Sequence, residues 1–419
     1  VLQQLEAQKM KSRVSRATIA GAAALLLLAA ALPAHAEWNK GLEAYKTKDW
    51  ATAVKEFEEV TKTNPDYAGA YYMLGVSQRA LGQLSPAIAS LRKSVELDGS
   101  QASYKIALGQ ALLQADQYQN AYELLKPLSM SSMEASHRTS YALLFAQAAT
   151  KTNRPGEALG VLTTQVRADS KNYRLQQALG AAYTANDEEA KAFEAYEKAF
   201  QLNPKDSTSA SNAVKAAISV ARRSNSDSSK SNYYSQAGQI ADRLANAFPT
   251  FEHQLLAGEA WLGAKEYQKA EDWLDKARVQ QSSNALVYYY LAQCKTQMNQ
   301  LNPALADLQQ ALKIGASGKL RNQVYNQGGY IYDKKKDYEN AIRWYREAGN
   351  EKMVSEMVAK KDAAAQNKAA DQECAEFKRT IAALRLQVEE LQKIGDNDSA
   401  QQLLDQLPAL EKDYAERCR

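Results

Sequence analysis

The chain has 419 residues, enough for several domains, and its 45% apolar and 24% charged content excludes wholesale disorder. Lys and Arg total 52 against 48 Asp and Glu, a net +4. Four basic residues and one Glu fall in residues 1–36, so the rest of the chain carries +1 and lacks the basic excess of a phosphate-driven nucleic-acid binder. Glycine (19) and proline (9) are too scarce for a turn-rich β-sandwich, and three His with three Cys leave no material for a multi-ligand zinc site or a His-based catalytic cluster.

Residues 1–36 read as an upstream extension followed by an export signal that starts at Met10. Lys11, Arg13 and Arg16 supply the basic start, and Ala17 to Leu32 is apolar apart from Thr18. Ala34-His35-Ala36 is a small-residue cleavage site, which predicts a cut between Ala36 and Glu37. The apolar run is short for a membrane span, so cleavage is favoured over an uncleaved inner-membrane anchor. The expected location is the periplasm, an oxidising compartment where cysteine pairs persist.

From residue 37 onward one pattern recurs. A small residue is followed twelve positions later by alanine, and four further on by a large apolar residue. Gly41, Ala53 and Phe57 form the first set, and Gly75, Ala87 and Leu91 the second. The recurring alanines, Ala53 to Ala341, lie 34, 34, 37, 34, 78, 34 and 37 residues apart. The gap of 78 leaves room for one more unit, with helices over 210–222 and 233–247 and an inserted Ser-rich loop over 223–231. Within a unit the apolar spacing is helical, as in Leu84, Ala87, Ile88 and Leu91. Pro65, Pro204 and Pro249 close units. Small residues suit a close helix crossing, where a side chain has no room. The organisation expected is an array over 37–206 (units one to five), a divergent unit over 207–250, a second array over 251–350 and a tail.

These residues resemble the tetratricopeptide repeat family. Unit five carries Leu179-Gly180, Tyr183, Ala192, Tyr196, Ala199 and Pro204, and unit two carries Tyr71, Leu74-Gly75, Gly82, Ala87 and Leu91. Units four and six depart most: Ala146 and Pro155 stand for the usual Gly and aromatic in four, and six lacks the Leu-Gly pair. The resemblance implies an all-α solenoid, a right-handed superhelix of about nine helix-turn-helix units with a concave groove. Stacking is its physical basis, since one unit cannot bury its apolar face alone.

The tail reads as a helical linker over 351–372 and an antiparallel helical hairpin or coiled coil over 373–419. Cys374, Phe377, Ile381, Leu384, Val388 and Leu391 recur at heptad spacing. A turn at 395–399, with Asp398 or Ser399 as cap, returns the chain through Leu403, Leu407, Leu410 and Tyr414, with Pro408 a kink or restart. Folding back at Asp396 levels Cys374 with Cys418, which predicts a disulfide between them. The alternatives are two free thiols or a bond between chains. Cys294 reads as a half-buried apolar thiol.

No motif carries chemistry. Gly315-Ala316-Ser317-Gly318-Lys319-Leu320 has too short a spacing for a phosphate loop, and Leu320 stands where a magnesium-binding hydroxyl belongs. His137 and His253 lie in different units. Glu58-Glu59 and Glu188-Glu189 sit at adjacent helix positions and point apart. A catalytic site, a metal and a cofactor are therefore not expected.

The resemblance leaves the groove as the candidate site. In the family the first helix of each unit lines it, at positions that here are Trp38, Tyr45, Tyr72, Arg79, Gln110, Gln147, Tyr289, Gln293, Asn326 and Tyr330. Aromatics and amides suit an extended or helical partner segment, though each Tyr has packing between units as its alternative role. The function expected is a non-enzymatic protein-interaction scaffold of the bacterial envelope, with partners in an assembly, secretion, pilus or polysaccharide-export system. The alternative is a structural envelope protein that self-assembles, for instance as a homodimer, through its C-terminal heptads.

Overall fold

The computed structural model describes residues 36–418, so the expected extension and export signal over 1–36 lie, but for Ala36, outside the described residues. The chain divides into two compact units between Leu244 and Ala245. The first holds the helix pairs α1 (36–46) and α2 (Trp50–Thr63), α3 (Ala68–Ala80) and α4 (Leu84–Leu97), α5 (Ala102–Gln114) and α6 (Tyr118–Leu125), and α7 (Ala135–Lys151) and α8 (Pro155–Ala168). It continues with α9 (Tyr173–Ala185) and α10 (Glu189–Leu202), then α11 (Ser207–Arg223) and most of α12 (Asp227–Ala247). The second unit holds α13 (Phe251–Gly263) and α14 (Tyr267–Gln280), α15 (Ala285–Gln297) and α16 (Leu301–Ile314), α17 (Gly318–Lys334) and α18 (Tyr338–Glu347), then α19 (Glu351–Ile394) and α20 (Asn397–Arg417). Among the described residues there is no strand. The fold is an all-α solenoid of helix pairs.

The recurring small and large residues are the contact inside each pair. A methyl group added to Gly75 would sit 2.6 Å from Leu91 Cγ, and one added to Gly258 would sit 2.5 Å from Leu274 Cγ. Ala87, Ala192 and Ala270 are fully buried, as are Leu91, Leu125, Leu162, Leu274 and Leu308. Each such leucine contributes about 2 kcal/mol of apolar burial.

The turn inside each pair repeats as well. Lys48, Gly82, Asp116, Asn153, Asp187, Lys265, Asn299 and Lys336 all have φ between 55° and 78°. Each lies five residues before the recurring alanine. The following amide reaches back to the helix it has left, as Gln83 N does to Gln78 O at 2.9 Å and Asp337 N to Tyr332 O at 2.9 Å. This left-handed C-terminal cap folds the chain back on itself.

The α11–α12 pair lacks the cap, and its turn is shorter than the expected loop over 223–231: residues 224–226 alone lie outside helix. Serines read as loop residues are helix starters here. The Ser226 hydroxyl accepts from Ser229 N at 3.4 Å, and Asp227 sits in the first turn beside Lys230.

The tail departs from the expected linker. A single helix of 44 residues, α19, runs through position 372. Its first turns belong to the repeat core, where Val354 and Met357 pack on Ala341 and Tyr345 of α18. Residues 361–373 are exposed, and then Ile381 and Val388 meet Leu407 of α20. Gly395 turns the chain at φ 83°, and Asp396, rather than Asp398 or Ser399, caps α20 by accepting from Ser399 N at 3.1 Å. The α20 helix passes through Pro408 without a restart. Cys374 and Cys418 form a disulfide with their Cα atoms 5.6 Å apart. Cys294 is fully buried, more than expected, and burial pushes its thiol up to about 12.

Candidate functional site

In the first unit α3 packs on α5, α5 on α7 and α7 on α9, while the second helices of the pairs do not pack on one another to that extent. Closer approach on one side curves the stack toward it, so the first helices form its inner wall.

Two clusters lie on this wall. The first is aromatic. Tyr72 stacks on Tyr104 with ring centroids 4.9 Å apart, and burial beside Tyr45 and Tyr104 raises the Tyr72 phenol above its ordinary range. Tyr45 packs edge-on to Trp50 at 5.3 Å. Arg79 points a guanidinium nitrogen at Gln114 Oε1, 3.5 Å away, and its buried Nε has no hydrogen-bond partner.

The second cluster is a cleft of about 680 Å³ between α7, α9, α10 and α11. Leu143, Ala146, Ala178 and Ala181 give it apolar walls whose small side chains leave the space open. Gln147, Gln177 and Asn212 add amides. Tyr196 lies beside the Thr184 and Asn212 side chains, and burial raises its phenol despite them. Asp206 caps α11 and also ties it to α9. It accepts from Thr208 N at 3.2 Å, from Gln177 Nε2 at 2.9 Å and from the Ser209 hydroxyl. Lys151 and Arg174 border the cleft and are exposed.

The structure thus brings Tyr45, Tyr72 and Arg79 together and puts Gln147 in the cleft. Gln110 is half-buried on α5. Trp38 is a packing residue, edge-on to Phe57 at 5.4 Å and against Tyr67 at 5.2 Å. In the second unit Tyr289 is buried beside Gln293. Asn326 is taken up by Asn350 at 2.7 Å, whereas Tyr330 is exposed under the ammonium of Lys334. Sequence reasoning missed Tyr104, Gln114, Tyr173, Arg174, Gln177 and Asn212. The repeat register was a usable signal for one of them, because Gln177 occupies in unit five the place that Tyr72 holds in unit two.

Helix pairs stacked around an inner wall of aromatics and amides define a helical-repeat interaction scaffold. The family model described as tetratricopeptide repeat matches residues 39–102, and a second of the same description matches 173–206 and 323–348. The matched segments are tetratricopeptide repeats. No curated protein matches it in sequence. Among solved structures it is similar to MamA of Desulfovibrio magneticus RS-1, at 18% identity over 42% of this chain and 97% of that one, with a TM-score of 0.38. It is also similar to YrrB, at 18% identity over 49% and 96% of the two chains, TM-score 0.39. A third is the C-terminal part of a repeat protein from Cytophaga hutchinsonii, at 14% identity over 60% and 98%, TM-score 0.49.

Proposed function

We propose that this chain is a non-enzymatic scaffold of the bacterial cell envelope that holds a partner protein's segment along the inner wall of its first unit. The observation that carries the reading is the cleft between α7 and α11, open in its middle, apolar on its walls and ringed by amides and hydroxyls. Such a surface buries an apolar side chain while hydrogen-bonding the peptide on either side of it. The envelope assignment is supported by the basic start, the apolar run Ala17–Leu32 and the Ala34-His35-Ala36 site. Among the described residues no helix is long and apolar enough to cross a membrane. Self-assembly through the C-terminal heptads has less support, since the seam engages α20 of the same chain and Cys374 is already paired with Cys418.

The test fills the cleft. Ala181→Trp places a large ring where the exposed alanine now leaves space. A partner that co-purifies with the tagged chain from cross-linked envelope should be lost with Ala181→Trp and kept with Lys55→Glu on α2. Undiminished recovery with Ala181→Trp would contradict the reading. Sequencing the native N-terminus should find Glu37, and an earlier start would contradict cleaved export.

A further inference from the structure

Charge is segregated from α3 to α11 of the first unit, whereas α1 carries Glu37 and Glu43. The helices α3, α5, α7, α9 and α11 contain no Asp or Glu, yet each is basic: Arg79 on α3, Lys105 on α5, Arg138 and Lys151 on α7, Arg174 on α9, and Lys215, Arg222 and Arg223 on α11. The second helices of the same pairs are mixed, with Glu96 on α4, Glu123 on α6, Glu157 on α8 and Glu189, Glu194 and Glu197 on α10. The asymmetry is not a general property of the chain, because α13 in the second unit carries Glu252 and Glu259 and no Lys or Arg.

The cleft repeats this on a smaller scale. Lys151 and Arg174 border it, and neither makes an ion pair with any described residue; their aromatic neighbours are Tyr118 and Tyr173. The carboxylate at its edge, Asp206, is engaged by Gln177, Thr208 and Ser209 and forms no ion pair with either cation.

We propose that the inner wall of the first unit selects an acidic segment, with Asp or Glu side chains of the partner meeting Lys151 and Arg174 while a neighbouring large apolar residue enters the alanine-walled cleft. This rests on the groove reading above and specifies its ligand. A protein segment fits better than a nucleic acid. The cations are spread one to three to a helix among amides and apolar surface, and the chain without residues 1–36 is nearly neutral. Charge of one sign along the path of the segment raises the encounter rate and rejects basic competitors.

The experiment pans a random dodecapeptide library on the full chain and measures the affinity of the enriched peptides by fluorescence anisotropy. Enriched peptides should combine Asp or Glu with a large apolar residue. Their binding should weaken about tenfold or more in the double variant Lys151→Glu, Arg174→Glu, and also as salt is raised. The control double variant Lys55→Glu, Lys198→Glu changes net charge equally on α2 and α10 and should bind as the parent does. Both pairs are exposed, so circular dichroism should show the same fold for all proteins. Enriched peptides without acidic bias, or binding that survives charge reversal, would overturn the acidic preference and leave the groove reading standing. Retention of no peptide would overturn both. Tighter binding of an oligonucleotide than of the acidic peptides would overturn the protein-segment assignment.

Discussion

Two glycine-to-alanine substitutions in helices should have opposite signs. Alanine is favoured over glycine by about 1 kcal/mol in a helix interior, because the glycine backbone loses more freedom on folding. At Gly160 on α8 nothing lies within 4 Å of the added methyl, so the gain stands alone. Gly160→Ala should stabilise the first unit by about 1 kcal/mol, or about 2–4 °C for a unit of this size. At Gly328 on α17 the same methyl would lie 2.0 Å from Trp344 Cε3 and 2.3 Å from Cζ3. Carbon atoms prefer about 3.5–4.0 Å. The indole has no free space to retreat into, since Tyr325 and Tyr332 hold it at centroid distances of 5.4 and 5.9 Å. Overpacking of this kind costs about 3 kcal/mol, which outweighs the propensity gain and leaves a net loss of about 2 kcal/mol. Urea unfolding followed by circular dichroism and tryptophan fluorescence reads both variants. Shifts of the same sign, or a neutral Gly328→Ala, would refute the claim that glycine is required where the helices cross.

Other consequences can be measured directly. Reducing the Cys374–Cys418 bond, which closes a loop of 44 residues, should lower the local stability of the α19–α20 hairpin by about 4 kcal/mol, read as faster amide exchange at Ile381 and Leu407; unchanged protection would contradict this. With its thiol pushed up to about 12, Cys294 should be about one part in ten thousand ionised at pH 8 and resist iodoacetamide until the chain is unfolded. Lys295 lies 2.6 Å from Asp307 and 3.9 Å from Glu271, all three nearly buried, so Lys295→Met should cost about 3 kcal/mol at pH 7. Burial already raises both carboxylates, so the folded form holds their protons more tightly than the unfolded chain does. The penalty of the charged forms is therefore present at neutral pH and falls as the pH drops through the raised folded values. The Lys295→Met defect should be smaller at pH 5 than at pH 7, and a defect that grew on acidification would contradict this sign.

The repeat was legible because one physical contact, a small residue under a large one, is written eight times in fixed register. The hairpin was legible because heptads and two cysteines equidistant from a turn constrain each other. Capping was harder to read: Ser226 and Asp396 look like loop residues in sequence, and only the chain path shows which amides they meet. Val354 and Met357 were lost in a polar stretch, although they complete the core under Tyr345. The groove was partly legible. Register alone selects a face, but it does not separate Tyr72 and Gln147 on the wall from Trp38 and Tyr289, which neighbouring rings and helices draw into packing. The cleft itself escaped notice because its walls are alanines, residues that carry no chemical signal of their own.

The central claim is that partners bind on the inner wall of the first unit. The most direct measurement replaces Gln147 with a photo-crosslinking amino acid in living cells, with Lys55 on the second helix α2 as the comparison position. The account predicts a discrete adduct with a partner protein from Gln147 and none from Lys55. Adducts from Lys55 alone, or only adducts between copies of this chain, would contradict it.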